Sequence, residues 1–224
     1  RDSLYTDNIR RNPRTLLEDH VNKLTLRAID EAYTRDLERA NAMVHQRKCL
    51  IDRDEWYLET TRLCQAMEGL YGEFMAISTY NIIDFIRNPD AKKYLAANRE
   101  LIRSGTRVRR LFIIDDRDAL ESGDTRRVLE IHERELRPPR DAQGQSAGES
   151  GVKWILRQYI GEAQVQDFAL FDPYVVVRQF QGGQQLEISE AEVDCEAAAQ
   201  VFRSLWNNKN ARGVADLPKK KRKR

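Results

Sequence analysis

The stretch Tyr94-Leu-Ala-Ala-Asn-Arg-Glu-Leu-Ile-Arg-Ser-Gly105, continued by Val108-Arg-Arg-Leu-Phe-Ile-Ile-Asp115, decides the fold. Its first half opens at Asn88-Pro89-Asp90, with proline suited to a first helical turn. Tyr94, Leu95, Leu101 and Ile102 then recur at helical spacing, and Gly105 stands where a left-handed terminating residue belongs. Its second half is a short apolar run ending in two carboxylates, which reads as a buried strand. A helix delivering a buried strand is half of a crossover unit, the hallmark of a sheet covered by helices.

Upstream, Phe74–Tyr80 reads as another buried strand, followed by a helical turn over Ile82–Ile86. Asp52-Arg-Asp-Glu55 reads as a capping box opening a helix to about Met67, with Gly69 and Gly72 breaking the pattern. From Arg14 to about Gln46 there is neither glycine nor proline, and Leu17, Val21, Leu24, Ala28, Ala32, Leu37, Ala40 and Val44 make one apolar stripe. A helix of that length, about 50 Å, must lie on the domain or pair with a copy of itself, so a homodimer is one expectation. Downstream, Asp124 begins a helix that Pro138-Pro139 stops. Residues 138–151 form a polar loop, and strands are expected at Val152–Ile160, Asp167–Phe171, Tyr174–Phe180 and Gln185–Ile188. Phe171-Asp-Pro-Tyr174 is turn chemistry joining two of them. Glu190 to about Asn208 is the last helix. The expected fold class is therefore α/β (mixed α+β), a mixed sheet covered by helices with a long N-terminal helix. The expected divisions are a helical region 1–68, a sheet domain 69–210 and a flexible tail 211–224.

The composition bounds the class without naming an activity. The chain has 224 residues, 38 Lys plus Arg against 36 Asp plus Glu, 11 Gly and 6 Pro. That excludes collagen-like and Pro/Gly-rich disordered chains. It contains no run of about 18 apolar residues, so no transmembrane helix is expected. The last six residues, Lys219 to Arg224, are all basic, so the net charge of +2 conceals an acidic body. A uniformly basic nucleic-acid-binding face is disfavoured. Cys49, Cys64 and Cys195 are far apart and odd in number, which fits a reducing compartment. His20, His45 and His132 are equally scattered, so no metal-ligand spacing is recognisable and no cofactor is expected. Beginning at Arg1 with no apolar signal segment, the chain reads as a piece or a processed form of a longer protein.

The helix ending at Gly105 and the strand Val108–Asp115 resemble the helix-then-strand unit of phospholipase D-like domains. Asp167-Phe-Ala-Leu-Phe-Asp-Pro-Tyr-Val-Val-Val-Arg-Gln-Phe180 is similar to that family's strand–turn–strand, and the closing helix with Phe202-Arg-Ser-Leu-Trp206 fits. The resemblance covers roughly residues 70–208. It implies a catalytic His-x-Lys-x4-Asp, in which imidazole attacks phosphorus and lysine holds phosphate oxygens. In the matching stretch Asp167 stands in the histidine position and Ala169 in the lysine position. The resemblance therefore implies a domain without phosphodiester cleavage by that mechanism, kept for binding, sensing or assembly.

Candidate pocket residues are Asp115 and Asp116 at the strand exit, with Arg110 and Asp167. The paired carboxylates at that exit either hold Mg2+ or cap the next turn. Arg109 and Arg110 with Arg103 either form an anion site or pair with the many carboxylates. Gly182-Gly183 reads as a tight turn. Pro218-Lys219-Lys220-Lys221-Arg222-Lys223-Arg224 resembles the monopartite nuclear localisation signal of the large T antigen type. That resemblance implies importin-α as a partner, the extended basic stems lying in an acidic, Trp-lined groove. The competing readings are a tether for nucleic acid or another polyanion and an appended sequence. Two functions are thus expected from different classes. One is a noncatalytic binding or regulatory protein addressed to the nucleus of a eukaryotic or host cell, otherwise cytoplasmic. The other is a metal-dependent phosphodiesterase or nuclease using Asp115 and Asp116.

Overall fold

The computed structural model describes residues 34–70, 72–79, 85, 88–137, 150–160, 165–180 and 184–218. The chain divides between Gln46 and Arg47. Within the first unit the described part, 34–46, is helical (α1), as its glycine-free stripe predicts. The rest of the helix expected from residue 14 lies outside the described residues.

The second unit is built on one eight-stranded mixed sheet. Its strands are β1 (Lys48–Asp52), β2 (Glu73–Ser78), β3 (Arg107–Ile114), β4 (Gly151–Leu156), β5 (Phe168–Asp172), β6 (Val175–Phe180), β7 (Gln185–Ser189) and β8 (Arg212–Gly213). The order across the sheet is β1-β7-β6-β5-β2-β3-β4-β8. β2, β3 and β4 run parallel, while β5 joins β2 antiparallel and leads through three further antiparallel pairs, with β6, β7 and β1 in turn. The helices are α2 (Trp56–Ala66), α3 (Pro89–Arg103), α4 (Arg117–Glu121), α5 (Gly123–Glu135) and α6 (Glu192–Trp206).

Side chains alternate across the sheet, so each strand feeds two cores. Met75, Ile77, Leu111, Ile113, Ile155, Phe168, Leu170 and Val176 pack on one face against Cys195, Ala199, Phe202 and Trp206 of α6. On the other face Phe74 meets Tyr94 of α3 and Phe171 of β5, and Phe112 meets His132 of α5. The deciding stretch behaves as its sequence predicts. The Asn88 side chain accepts the Asp90 N–H at 2.9 Å, and Gly105 adopts φ 93° where α3 ends.

Four expectations are corrected. The helix expected to about Met67 forms, but not through a capping box: Asp52 closes β1 opposite Gln185 and, in extended conformation, precedes a 3-10 turn over Arg53–Glu55 that runs into α2, and its side chain makes no cap bond. Lys48–Asp52 forms a strand because Cys49 and Ile51 alternate inward, and it pairs along the whole of β7. The boundary expected at 68 therefore falls inside the second unit, since β1 and α2 are parts of it. The strand expected over Val152–Ile160 stops at Leu156, where a 3-10 turn over Arg157–Tyr159 replaces it. The tail expected from 211 is structured to its root. Arg212–Gly213 pairs with β4, a 3-10 turn follows over Val214–Asp216, and the Trp154 indole donates to the Gly213 carbonyl at 3.0 Å. Residues 138–149, 181–183 and 219–224 lie outside the described residues, and with them Gly182, Gly183 and the six basic residues.

Candidate functional site

A cavity of about 680 Å³ opens at the end of the sheet where β2 finishes and β5 begins. Open α/β sheets place ligands at such carboxyl ends. Its floor is set by strand register. Ala76 of β2 is the Cα partner of both Arg110 on β3 and Ala169 on β5, so these three lie in one row. Both alanines are buried, and of this row Arg110 lines the cavity. The next row carries Ser78 opposite Phe112, with Gln179 opposite Leu186 farther along. Trp56 and Tyr57 from the start of α2, Phe85, Asn88 and His132 complete the walls, with Asp52, Arg53 and Asp54 also on the lining.

Arg110 is the chemical centre of this cavity. It is only 4% exposed. Its guanidinium lies 5.0 Å from the Tyr94 ring centroid and 5.8 Å from that of Phe112. Its Nη1–H donates to His132 Nε2 at 3.1 Å, and Nε has no hydrogen-bond partner. Among the described residues no carboxylate pairs with it. A buried guanidinium without a counter-charge is costly, and an anionic ligand removes that cost.

His132 is held in one tautomer. Nδ1–H donates to the Val128 carbonyl one turn earlier on α5 at 2.9 Å, so Nε2 carries the lone pair that Arg110 needs. Burial, reinforced by the Arg110 charge, pushes its pKa well below the usual 6.5. The ring is therefore a neutral acceptor that orients Arg110.

Asp167 lines the same cavity, half-buried. Its carboxylate accepts both the backbone N–H and the hydroxyl of Thr79. Burial raises its pKa against those two bonds and against the attraction of Arg53 and Arg110. The other candidates go elsewhere. Asp115 accepts from Arg157 Nε at 2.7 Å, and Asp116 caps α4 by accepting the Ala119 N–H at 2.7 Å. Neither lines the cavity. Arg103 pairs with Glu100 at 2.6 Å on the surface. Arg109, one residue along β3 from Arg110, points to the opposite face, where it pairs with Glu73 and lies 5.3 Å from the Phe202 and Trp206 ring centroids. The pocket expected from four residues thus contains two of them, Arg110 and Asp167. Pro218 is exposed beyond the last 3-10 turn.

Sequence reasoning passed over His132, Thr79, Trp56 and Tyr57. The four-residue step from Val128 to His132 on the buried face of α5 was the available signal for the histidine. Thr79 has no local signal, because its partner is 88 positions away. Among the described residues no group of three or more His, Cys, Asp or Glu is arranged to hold a metal ion. No described helix is long and apolar enough to cross a membrane.

The geometry defines a mixed α/β domain with a buried guanidinium that has no ion pair among the described residues, in a cavity at one end of its sheet. No protein-family model matches the sequence, and no curated protein matches it. Among solved structures the chain is similar to the polyphosphate kinase from Porphyromonas gingivalis, at 13% identity and a TM-score of 0.42. The match covers 71% of this chain and 26% of that one, so it spans about a quarter of that protein's length.

Proposed function

We propose that the chain is a noncatalytic binding domain of phospholipase D-like ancestry that takes a phosphate-bearing ligand into the cavity around Arg110 and is addressed to the nucleus by its basic tail. The observation that carries the reading is the buried guanidinium of Arg110, without a carboxylate among the described residues, on the wall of a 680 Å³ cavity. The resemblance asks for a lysine at position 169, and Ala169 sits there. Arg110 lies in the same row, two strands away across Ala76, about 10 Å by ordinary strand spacing. A cation for phosphate is thus kept while the nucleophile is not. Asp167 occupies the histidine position, and its carboxylate is held by Thr79, opposing rather than attacking a phosphodiester. The metal-dependent reading draws no support from Asp115 and Asp116, which are engaged with Arg157 and with the start of α4. The homodimer through the first helix stands as part of the proposal. Leu37 and Val44, 58% and 76% exposed on its described part, would supply apolar contact.

The test is calorimetric titration of the full chain with inorganic phosphate and pyrophosphate. Arg110→Gln is expected to weaken binding ten- to a hundredfold, the scale of about 1.5–3 kcal/mol for hydrogen bonds to a charged group. Because the tail attracts any polyanion, the wild-type-to-variant ratio is the readout, with thermal melting checking that the variant folds. Equal affinities, or turnover of a generic phosphodiester with or without Mg2+, would overturn the proposal.

A further inference from the structure

Resting on the reading of this cavity as an anion site, we infer that its ligand is a nucleoside monophosphate, with the phosphate on Arg110 and the flat base on the indole of Trp56. Phosphate alone leaves most of 680 Å³ empty, whereas that volume suits a ligand several times larger. The additional space is bounded by rings. Tyr57 contacts Phe85 at 6.3 Å, Phe85 contacts His132 at 4.3 Å and His132 contacts Phe112 at 5.0 Å, an unbroken aromatic wall beginning at the side of Arg110. Trp56 differs from these neighbours. It is half-buried, it lines the cavity, and among the described residues it has no ring contact. A large π surface facing a cavity beside a buried cation is complementary to a phosphorylated heterocycle and has nothing to gain from an aliphatic phosphate.

The remaining lining has the chemistry of a base edge. Gln179 and Gln184 offer amides that both donate and accept, as the edges of every nucleobase require. Asn88 spends its Oδ1 on capping α3, which leaves its NH2 group to donate.

The experiment titrates the full chain with adenosine 5′-monophosphate, ribose 5-phosphate, adenosine and a 5′-phosphorylated tetranucleotide. The monophosphate is expected to bind at least tenfold tighter than ribose 5-phosphate. Trp56→Leu should remove about tenfold of the nucleotide affinity and far less of the ribose 5-phosphate affinity, and Trp56→Phe, the conservative variant, should restore part of the loss. Thermal melting of each variant separates lost stacking from lost folding. The tetranucleotide arm, read as its own Trp56→Leu loss, distinguishes a strand terminus from a free nucleotide as the source of the same chemistry. Equal affinity for nucleotide and ribose 5-phosphate, with both still dependent on Arg110, overturns the inference and leaves the anion site standing. No Arg110-dependent binding in any arm overturns both.

Discussion

The Arg110–His132 pair works only while the imidazole is neutral, and this gives it a pH signature. Burial first, and the Arg110 charge second, hold the His132 pKa well below 6.5 in the folded chain. Above pH 6.5 the ring is neutral in both folded and unfolded chains, and it contributes no slope. As pH falls below 6.5 the unfolded chain binds a proton that the folded chain refuses, so stability declines until the folded pKa is reached. The limiting slope is about 1.4 kcal/mol per pH unit, and the step from pH 7 to pH 5 spans the onset of the loss. Urea unfolding at those two pH values should show the loss in the wild type and little of it in His132→Gln, whose amide oxygen still accepts from Arg110 without titrating. The same slope in both proteins would show that His132 does not set it. At this scale little of the site was legible beforehand. Arg109 and Arg110 are chemically identical neighbours, and only the pleat sends one to Glu73 and the other into the cavity. Asp115 and Asp116 looked like a site because of their position after a buried strand. Charge pairing with Arg157 and capping of α4 account for both.

At the scale of elements, a single carboxylate binds the far edge of the sheet to the last helix. Asp194, in the first turn of α6, accepts from Ser189 of β7 at 2.6 Å, from Arg178 of β6 at 3.0 Å, and pairs with Lys48 of β1 at 2.6 Å. Burial raises its pKa, but the bonds from Lys48 and Ser189 and the Arg178 charge outweigh burial and bring it to about 2 from 3.8. The linked stability, about 2 kcal/mol, is present above pH 3.8 and is lost as pH falls toward 2. Asp194→Asn should therefore be less stable than the wild type by about 2 kcal/mol at pH 6, and by roughly half of that at pH 3. A gap that stays constant between the two would mean that packing, and not charge, supplies the tie. This knot explains why the β1 strand escaped the sequence reading. KCLID is five residues long, with only Cys49 and Ile51 turned inward, and its strand character comes from β7 and Asp194 rather than from local propensity. The helix ending at Gly105 and the strand after it were legible because proline, a capping asparagine, a helical stripe and glycine all agree there.

The molecule as a whole joins an acidic body to a basic segment, and the root of that segment is fixed. Gly213 is paired to Lys153 of β4, its carbonyl accepts from the Trp154 indole, and its N–H donates to Asp216 at 3.1 Å. The seven residues from Pro218 thus begin at a defined point on the sheet's edge opposite β1. Two proposals for them differ in what they require. A polyanion tether needs charge alone, so its strength follows the number of cations and declines with salt. Recognition by an importin-α groove needs consecutive basic stems at the spacing of one extended chain, so it depends on order as well as charge. Inserting a glycine after Lys220 and another after Arg222 keeps all six cations and disturbs only their succession. A fluorescent fusion of the unaltered chain should concentrate in nuclei, and both the glycine-spaced chain and one with Lys219, Lys220 and Lys221 changed to Ala should spread through the cell. On heparin the glycine-spaced chain should elute with the unaltered one, while the triple variant elutes at lower salt. Nuclear concentration of the glycine-spaced chain would leave charge as the sole property of the tail, and equal distribution of all three chains would remove the nuclear address altogether.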